Sequence, residues 1–198
     1  MKAISAVFLS ILSLAPLGAW SQTRTIGTFG SWRTFGGAAE DGTQVCGVIT
    51  SGGEGRTFTI KYFEGTGYLA VQIFKDHWKI PDGQTIRIRI AMGSYTPWDI
   101  TAQGAGNAIQ FNVPAEKIKE FISEFRLAPN GSIRFLDGNE GSWSMNLSGS
   151  NAAVGLMVEC MRQLDARKSQ PFNRSSQPPS QPFNGSPASG APRPSRGT

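Results

Sequence analysis

Only one histidine, His77, is available to act as a general base, and this limits the nucleophilic chemistry open to the chain. A Ser-His-Asp or Cys-His arrangement would have to use it. Asp76 precedes it directly, but neighbouring residues on a strand face opposite ways. The sequence has neither a G-x-S-x-G motif nor a phosphate-binding G-x-x-x-x-G-K-[ST] loop. We therefore interpret His77 as a surface or turn residue.

A pair of carboxylates is the other catalytic arrangement to consider, because glycoside hydrolysis needs only two. Most of the acids lie in predicted turns, where acidic side chains usually accept backbone hydrogen bonds. The candidates are Glu40, Asp41, Asp76, Asp82, Asp99 and Glu140. No pair of histidines or other usual metal-ligand spacing is present. We predict that the chain is not an enzyme and that it uses no metal and no cofactor.

Three aromatic residues in polar, turn-like segments are the candidates for binding a partner: Trp78, Tyr95 and Trp98. Aromatic rings on loops commonly anchor ligands or partner proteins. Large aromatic residues also cover the ends of a sheet core, which is the alternative interpretation. The sequence leaves both interpretations open.

The two cysteines, Cys46 and Cys160, stand near opposite ends of the predicted domain. An even count in an exported chain favours a disulfide bond, which would close a loop of about 115 residues. Two free, buried thiols are the alternative. A redox-active pair is not expected, because the sequence contains no C-x-x-C motif.

Residues 1–21 have the layout of a secretory signal peptide. A positive start at Lys2 precedes an apolar run over 3–17, and the small residues Ala19 and Ser21 fit a cleavage site. The run is shorter than the roughly 20 residues of a membrane-spanning helix. We predict a periplasmic or secreted protein with no transmembrane segment once the leader is removed.

Most of the predicted domain, residues 22–166, alternates with a period of two, as half-buried strands do. The clear strands are 57–62, 69–73, 84–90, 109–113 and 142–147, and the weaker ones are 28–35, 43–49, 98–102 and 132–136. One amphipathic helix begins at Pro114, and a second begins near Ser150 and carries Cys160. The pattern predicts a mainly β (α+β) fold, an antiparallel β-sandwich or barrel-like sheet with two amphipathic helices. The second helix is C-terminal and is tethered by the disulfide.

Composition changes abruptly at residue 167. Residues 167–198 are rich in Pro, Ser and Gln and carry five positive charges without an acid, which predicts a disordered basic tail. Phe172 and Phe183 are candidate weak anchors within it, or part of a simple solvated spacer.

The predicted domain itself is close to neutral, because the 13 lysines and arginines between 22 and 166 are balanced by 14 acids. The domain therefore lacks the basic face that nucleic-acid binding requires, and we expect no nucleic-acid partner.

Several short motifs resemble the invasion-associated locus B family of small exported bacterial proteins. They are the run from Phe29 to Trp32, a cysteine on an early strand, and the run from Lys79 to Gly83 that leads into Ile86-Arg87-Ile88. The resemblance implies a β-rich exported domain with a non-enzymatic role, and it supplies no catalytic motif.

The leading hypothesis is an exported, non-enzymatic binding module that contacts another envelope or host protein, or an envelope polymer. A first alternative is a small inhibitor of an exported hydrolase that inserts a loop such as 94–99 into an active site. A second alternative is a carboxylate-dependent glycan hydrolase, which requires two acids in one cleft.

Overall fold

The computed structural model describes residues 22–168, which form an antiparallel sheet of ten strands and two helices. The predicted leader lies outside the described residues, as do Phe172 and Phe183. The elements in chain order are β1 Arg24–Phe29, β2 Trp32–Ala38, β3 Gln44–Ser51, β4 Arg56–Phe63, β5 Leu69–Lys75, β6 Thr85–Met92, β7 Trp98–Ala105, β8 Ala108–Val113, α1 Ala115–Leu127, β9 Asn130–Phe135, β10 Trp143–Asn146 and α2 Ser150–Lys168.

The strand order in the sheet is β1-β2-β3-β4-β5-β8-β7-β6-β9-β10, and every neighbouring pair is antiparallel. The first five strands follow one another as a meander. The chain then crosses to β6, and β7 and β8 fill the space back to β5. Helix α1 connects β8 to β9, which pairs with the other side of β6. The predicted mainly antiparallel fold with two helices is confirmed.

The strands form one continuous sheet, and its edge strands β1 and β10 do not pair with each other within residues 22–168. The sheet is therefore not closed into a barrel by hydrogen bonds. Alternating apolar residues identify the buried face of a strand but carry no information about which strands pair. For this reason the sequence pattern could not distinguish a sandwich from a barrel-like sheet.

The sheet bends back on itself, so its two ends come into contact. Trp32 Nε1 on β2 donates a hydrogen bond of 3.0 Å to the carbonyl oxygen of Asn146 on β10. The guanidinium of Arg56 on β4 lies 5.1 Å from the ring centroid of Trp143, also on β10. The inner face of the sheet encloses the core, and the strands present their other residues on an outer face.

Residues on the inner face follow the predicted alternation. Ile86, Ile88 and Ile90 on β6 are at most 9% exposed, whereas the two intervening arginines are exposed. Burial of each such aliphatic side chain stabilises the fold by about 1.5–3 kcal/mol relative to leaving it in water.

Helix α1 covers the core with Phe121, Ile122 and Phe125, three residues of the predicted apolar stripe. The ring of Phe125 stacks on Phe58 at 5.7 Å and meets Trp32 edge to face at 5.2 Å. The aromatic contacts thus join the helix to β4 and β2. Helix α1 begins at Ala115, one residue later than predicted, so Pro114 is its N-cap residue rather than its first helical residue.

Helix α2 packs on β2, β3 and α1, and three bonds fasten it to the sheet. The predicted Cys46–Cys160 disulfide is confirmed, with a Cα–Cα distance of 6.0 Å. Thr34 Oγ1 donates to the carbonyl oxygen of Ala153 at 2.8 Å. Tyr62 donates its hydroxyl proton to a carboxylate oxygen of Asp165 at 2.8 Å. The second helix is therefore tied to β3, β2 and β4.

One local prediction needs correction. The weak strand predicted over 28–35 is wrong, because the chain reverses there: β1 and β2 form a hairpin, with Gly30 and Ser31 as its turn. Gly30 has φ +61°, which suits the first position of a tight hairpin turn. The predicted start of α2 at Ser150 is confirmed, and the hydroxyl of Ser150 donates to the carbonyl oxygen of Phe125 at 3.0 Å and so joins the two helices.

Candidate functional site

The predicted binding residue Trp78 belongs to an aromatic cluster. Its ring stacks on Trp143 at 5.3 Å and contacts Phe135 edge to face at 5.4 Å. Its indole Nε1 donates to Glu140 at 3.1 Å. The ring and the polar atom of Trp78 both have partners in the protein, as expected for a residue that covers the end of the core.

Glu140 is the polar centre of this cluster. Besides Trp78, it accepts hydrogen bonds from Trp143 Nε1 at 2.9 Å and from Lys75 Nζ at 2.9 Å. Burial opposes ionisation of the carboxyl group, but the hydrogen bonds from Trp143, Lys75 and Trp78 together outweigh it and lower the pKa of Glu140. The carboxylate therefore stays charged and connects β5, β10 and the loop that carries Trp78.

Trp98 and Tyr95 lie at a different place from Trp78. Trp98 Nε1 donates to Glu124 at 2.6 Å, and its ring meets Phe121 edge to face at 5.3 Å, so Trp98 packs on α1. Tyr95, in the loop between β6 and β7, is 38% exposed. The two tryptophans share no contact within the described residues, and the three predicted aromatics do not form one site.

The candidate acids are distributed over several places. Asp99 pairs with Arg89 at 2.6 Å, and Asp41 accepts from the backbone N–H of Thr43 at 2.9 Å. Asp76, Asp82 and His77 are exposed turn residues, and Glu140 is enclosed as described. Glu40 and Asp41 are adjacent in the loop between β2 and β3.

A groove of about 730 Å³ lies on the outer face of the first five strands, with the β2–β3 loop at its rim. We call it the outer groove. Its principal lining residues are Arg24, Thr25, Arg33, Phe35, Glu40, Asp41, Val45, Ile49, Thr57, Thr59, Lys61, Phe63 and Phe74. Strand register arranges most of them in rows across the sheet.

The rows run across β2, β3 and β4. One row aligns Phe35, Gly47 and Lys61, and the next aligns Arg33, Ile49 and Thr59. Phe63 beside Val45 and Phe74 beside Thr57 mark the two ends. Successive rows are two residues apart, so the outer groove extends about 20 Å along the strands.

Gly47 gives the middle of the outer groove its shape. A Cβ atom at this position would collide with the Phe35 ring and would lie 2.6 Å from the carbonyl oxygen of Ile60. Because Gly47 has no side chain, the Phe35 ring can lie across β3, toward Lys61 in the same row. Position 47 therefore requires glycine, since any side chain would clash with this ring.

Lys61 is half-buried in the outer groove and has an amide as its partner. Its Nζ donates to Gln72 Oε1 at 2.6 Å, and Gln72 Nε2 donates to Gln110 Oε1 at 3.3 Å. No carboxylate pairs with Lys61 within residues 22–168. Burial therefore lowers the pKa of Lys61. A half-buried ammonium group without a counter-charge costs stability.

Arg24 and Arg33 also line the outer groove, and neither makes an ion pair in the described part of the chain. Elsewhere on the sheet, Arg87 and Arg89 are matched with acids at 2.6 Å. Three unmatched cations thus share one concave surface with three half-buried phenylalanines and several threonine hydroxyls.

Sequence reasoning missed the outer groove because the alternation over 57–62 predicts one buried face, and Thr57, Thr59 and Lys61 lie on the other. Thr59 is in fact 2% exposed, and Val45 on the neighbouring strand is 3% exposed. A signal was present in β3, where Val45, Val48 and Ile49 place apolar residues on both faces. A strand with two apolar faces indicates cover on both sides of the sheet.

Fold and surface together define a disulfide-tethered antiparallel β domain with a mixed aromatic and cationic groove on its outer face. Comparisons with protein-family models, with curated proteins and with solved structures find no match to the chain. The resemblance to the invasion-associated locus B family stays a prediction. Between residues 22 and 168, no helix is long and apolar enough to cross a membrane.

Proposed function

We propose that the chain is an exported, non-enzymatic binding module with a sandwich-like curved sheet, and that it contacts a component of the bacterial envelope through the outer groove. Support comes from the combination of half-buried aromatic rings, hydroxyl groups and unmatched cations on one concave surface. Ligand sites typically combine apolar lining with a few polar groups that fix orientation.

One observation carries the proposal. Lys61 is held half-buried opposite an amide rather than an acid, in an otherwise near-neutral domain. A methionine of similar length would avoid the cost of desolvating an ammonium group. Groups that cost stability in this way are common where a ligand supplies the missing partner.

Export to the periplasm or the medium is part of the proposal. The Cys46–Cys160 bond supports it, because structural disulfides persist in oxidising compartments. The leader-like sequence over 1–21 and the resemblance to a family of exported proteins point the same way.

A retention assay tests the proposal. The purified protein is mixed with a sedimentable envelope fraction, and the bound fraction is compared for the wild type and two charge reversals, Lys61→Glu and Arg33→Glu. Arg134→Glu is the matched control, because Arg134 is an exposed strand arginine without an ion pair in the described residues and lies outside the outer groove. We expect the groove variants to lose most retention and the control to keep it.

The variant Tyr95→Ala tests whether binding uses the loop between β6 and β7 instead of the outer groove. Loss of retention with Tyr95→Ala alone, while both groove variants bind normally, would transfer the site to the 93–97 loop and favour the inhibitor alternative. Retention that none of the variants changes would contradict the proposal.

The hydrolase alternative keeps one structural support, since Glu40 and Asp41 lie side by side at the rim of the outer groove. Incubation of envelope polysaccharide with the protein tests it by the appearance of new reducing ends. Release that Glu40→Gln abolishes would establish hydrolysis. Unchanged polysaccharide is the result expected for a binding module.

A further inference from the structure

Resting on the proposed function, we infer that the occupant of the outer groove is an acidic polysaccharide, a linear glycan whose sugar units carry carboxylates. Three features of the groove point to it: its charge, the hydrogen bonding of its backbone and the types of its side chains. An acidic peptide and a nucleic acid are the competing polyanions.

Charge complementarity favours an anionic occupant. Arg24, Arg33 and Lys61 outnumber the two rim acids, Glu40 and Asp41, and within residues 22–168 neither acid forms an ion pair with a cation of the groove. Lys61 lies in the middle row, where an entering carboxylate could accept a hydrogen bond from its ammonium group while Gln72 Oε1 still accepts another. Hydrogen bonds between charged partners are stronger than neutral ones, so such a contact gives the occupant both affinity and position.

The backbone of the floor argues against a peptide. β2, β3, β4 and β5 each have a hydrogen-bonded neighbour on both sides, so among the described residues the only strand edge at the outer groove is that of β1, at its margin. Peptides that bind sheets usually add a strand to such an edge. Recognition in the middle of the outer groove, around Lys61, must therefore come from side chains that project from the sheet face.

Those side chains suit a sugar chain. Phe35, Phe63 and Phe74 are half-buried, which leaves ring surface for the C–H faces of sugar rings. Thr25 and Thr57 offer hydroxyl groups, which donate and accept hydrogen bonds with sugar hydroxyls. The length of about 20 Å accommodates several sugar units in line.

A nucleic acid fits less well, because it presents a phosphate at every nucleotide and is bound by a clustered basic surface. The outer groove has three cations and two acids on its rim, and residues 22–166 carry one more acid than base. In the outer groove the cations are separated by phenylalanine rings. This arrangement matches a polymer whose charged groups are separated by the uncharged faces of sugar rings.

Direct binding measurements test the inference. Oligogalacturonate, its methyl ester, poly-glutamate and a single-stranded DNA oligomer are titrated into the full purified protein at physiological ionic strength. The methyl ester keeps the sugar backbone but removes the charge. We expect binding of oligogalacturonate, at least tenfold weaker binding of its ester, and no comparable affinity for the other two polyanions.

The same titration uses Lys61→Gln and Arg33→Gln, with Arg134→Gln as the control. Each groove variant should weaken oligogalacturonate binding about five- to tenfold, and the control should stay within twofold. Equal or tighter binding of poly-glutamate or DNA would overturn the assignment to a glycan. An equal effect of Arg134→Gln would overturn it as well, by showing diffuse attraction.

The two proposals fail in different ways. If no uronate polymer binds, but the groove charge reversals still abolish retention on the envelope, the acidic glycan is wrong and the binding module stands. If the charge reversals leave retention unchanged, the outer groove itself is the wrong site.

Discussion

Among single side chains, Lys61 shows most clearly a cost in stability that the proposed binding role would explain. Its ammonium group is half-buried on the sheet face, and among residues 22–168 it has only the Gln72 amide as a partner. The lowered pKa of Lys61 means that folding disfavours its charged form. At neutral pH, this lysine therefore subtracts from the free energy of unfolding.

Replacing Lys61 with methionine should raise the stability of the protein and weaken its binding. The increase in unfolding free energy is expected to be small, about 0.5 kcal/mol or less, because solvent still screens the half-exposed charge. Urea unfolding measures it. Lys119→Met, at an exposed position of α1, is the control and should change little. A clear loss of stability in Lys61→Met would show that the lysine is a structural residue.

Glu140 has the opposite character, because its charge supports the fold. Its pKa is lowered from an ordinary value of 4.5. As the pH falls, Glu140 therefore takes up a proton in the unfolded chain at a higher pH than in the folded protein. The contribution of this group is complete above about pH 4.5 and is lost as the pH falls through its folded pKa.

Substitution of Glu140 by glutamine should therefore lower the thermal midpoint at pH 7 and flatten its decline between pH 5 and pH 3. Thermal scans over this pH range measure both effects. Asp82→Asn changes an exposed acid without a described hydrogen bond and should leave the profile unaltered. An acid profile of Glu140→Gln that parallels the wild type would contradict the role of Glu140.

Among the secondary-structure elements, α2 depends most on a single covalent bond. The disulfide joins it to β3 across a separation of 114 residues, and two side-chain hydrogen bonds tie it to β2 and β4. In the chain-entropy account, closing so long a loop stabilises the folded state by about 4–5 kcal/mol.

Reduction of the disulfide, or Cys160→Ser, should lower the thermal midpoint by about 10 °C. The double variant Cys46→Ser/Cys160→Ser should match the reduced wild type, since both lack the same bond. Calorimetry with and without reductant makes the comparison. A midpoint that does not respond to reductant would contradict a stabilising role of the tether.

The sequence predicted the elements better than their arrangement. The alternation of Ile86, Ile88 and Ile90 and the apolar stripe of α1 identified buried faces correctly, because one polypeptide segment determines them. The insertion of β7 and β8 between β5 and β6 depends on pairing between distant segments, which no local pattern encodes. The turn at Gly30 was missed because apolar residues flank it on both sides.

The candidate site was predictable only in part. Trp78 and Trp98 were selected for their rings, but the acids that bind their indole N–H groups, Glu140 and Glu124, are distant in sequence. The outer groove arises where the first five strands place Arg33, Lys61 and Phe74, each from a different strand, on one face of the sheet. Single-sequence reasoning supplies the face of each residue but not its neighbours across the sheet.

At the level of the entire chain, binding should belong to the folded domain. The described residues that line the outer groove all belong to the first five strands and their loops, whereas the segment beyond Lys168 contributes three arginines and the predicted anchors Phe172 and Phe183 to the sequence. Charge on a tail attracts polyanions without specificity and weakens as salt rises.

A chain that ends at Lys168 should therefore keep most of its affinity for oligogalacturonate at physiological salt, within about threefold of the full protein, and should stay sensitive to Lys61→Gln. The full protein should show the steeper dependence on ionic strength. Calorimetric titration at two salt concentrations provides both numbers. Loss of binding on truncation would instead assign recognition to the tail.

The most direct test of the outer groove is an amide chemical-shift map of the folded protein during titration with oligogalacturonate. We predict that the largest shifts fall on β2, β3 and β4, around Phe35, Gly47 and Lys61, and that Lys61→Gln suppresses them. Shifts centred on Trp78 or on the 93–97 loop, with β3 and β4 unaffected, would contradict the account.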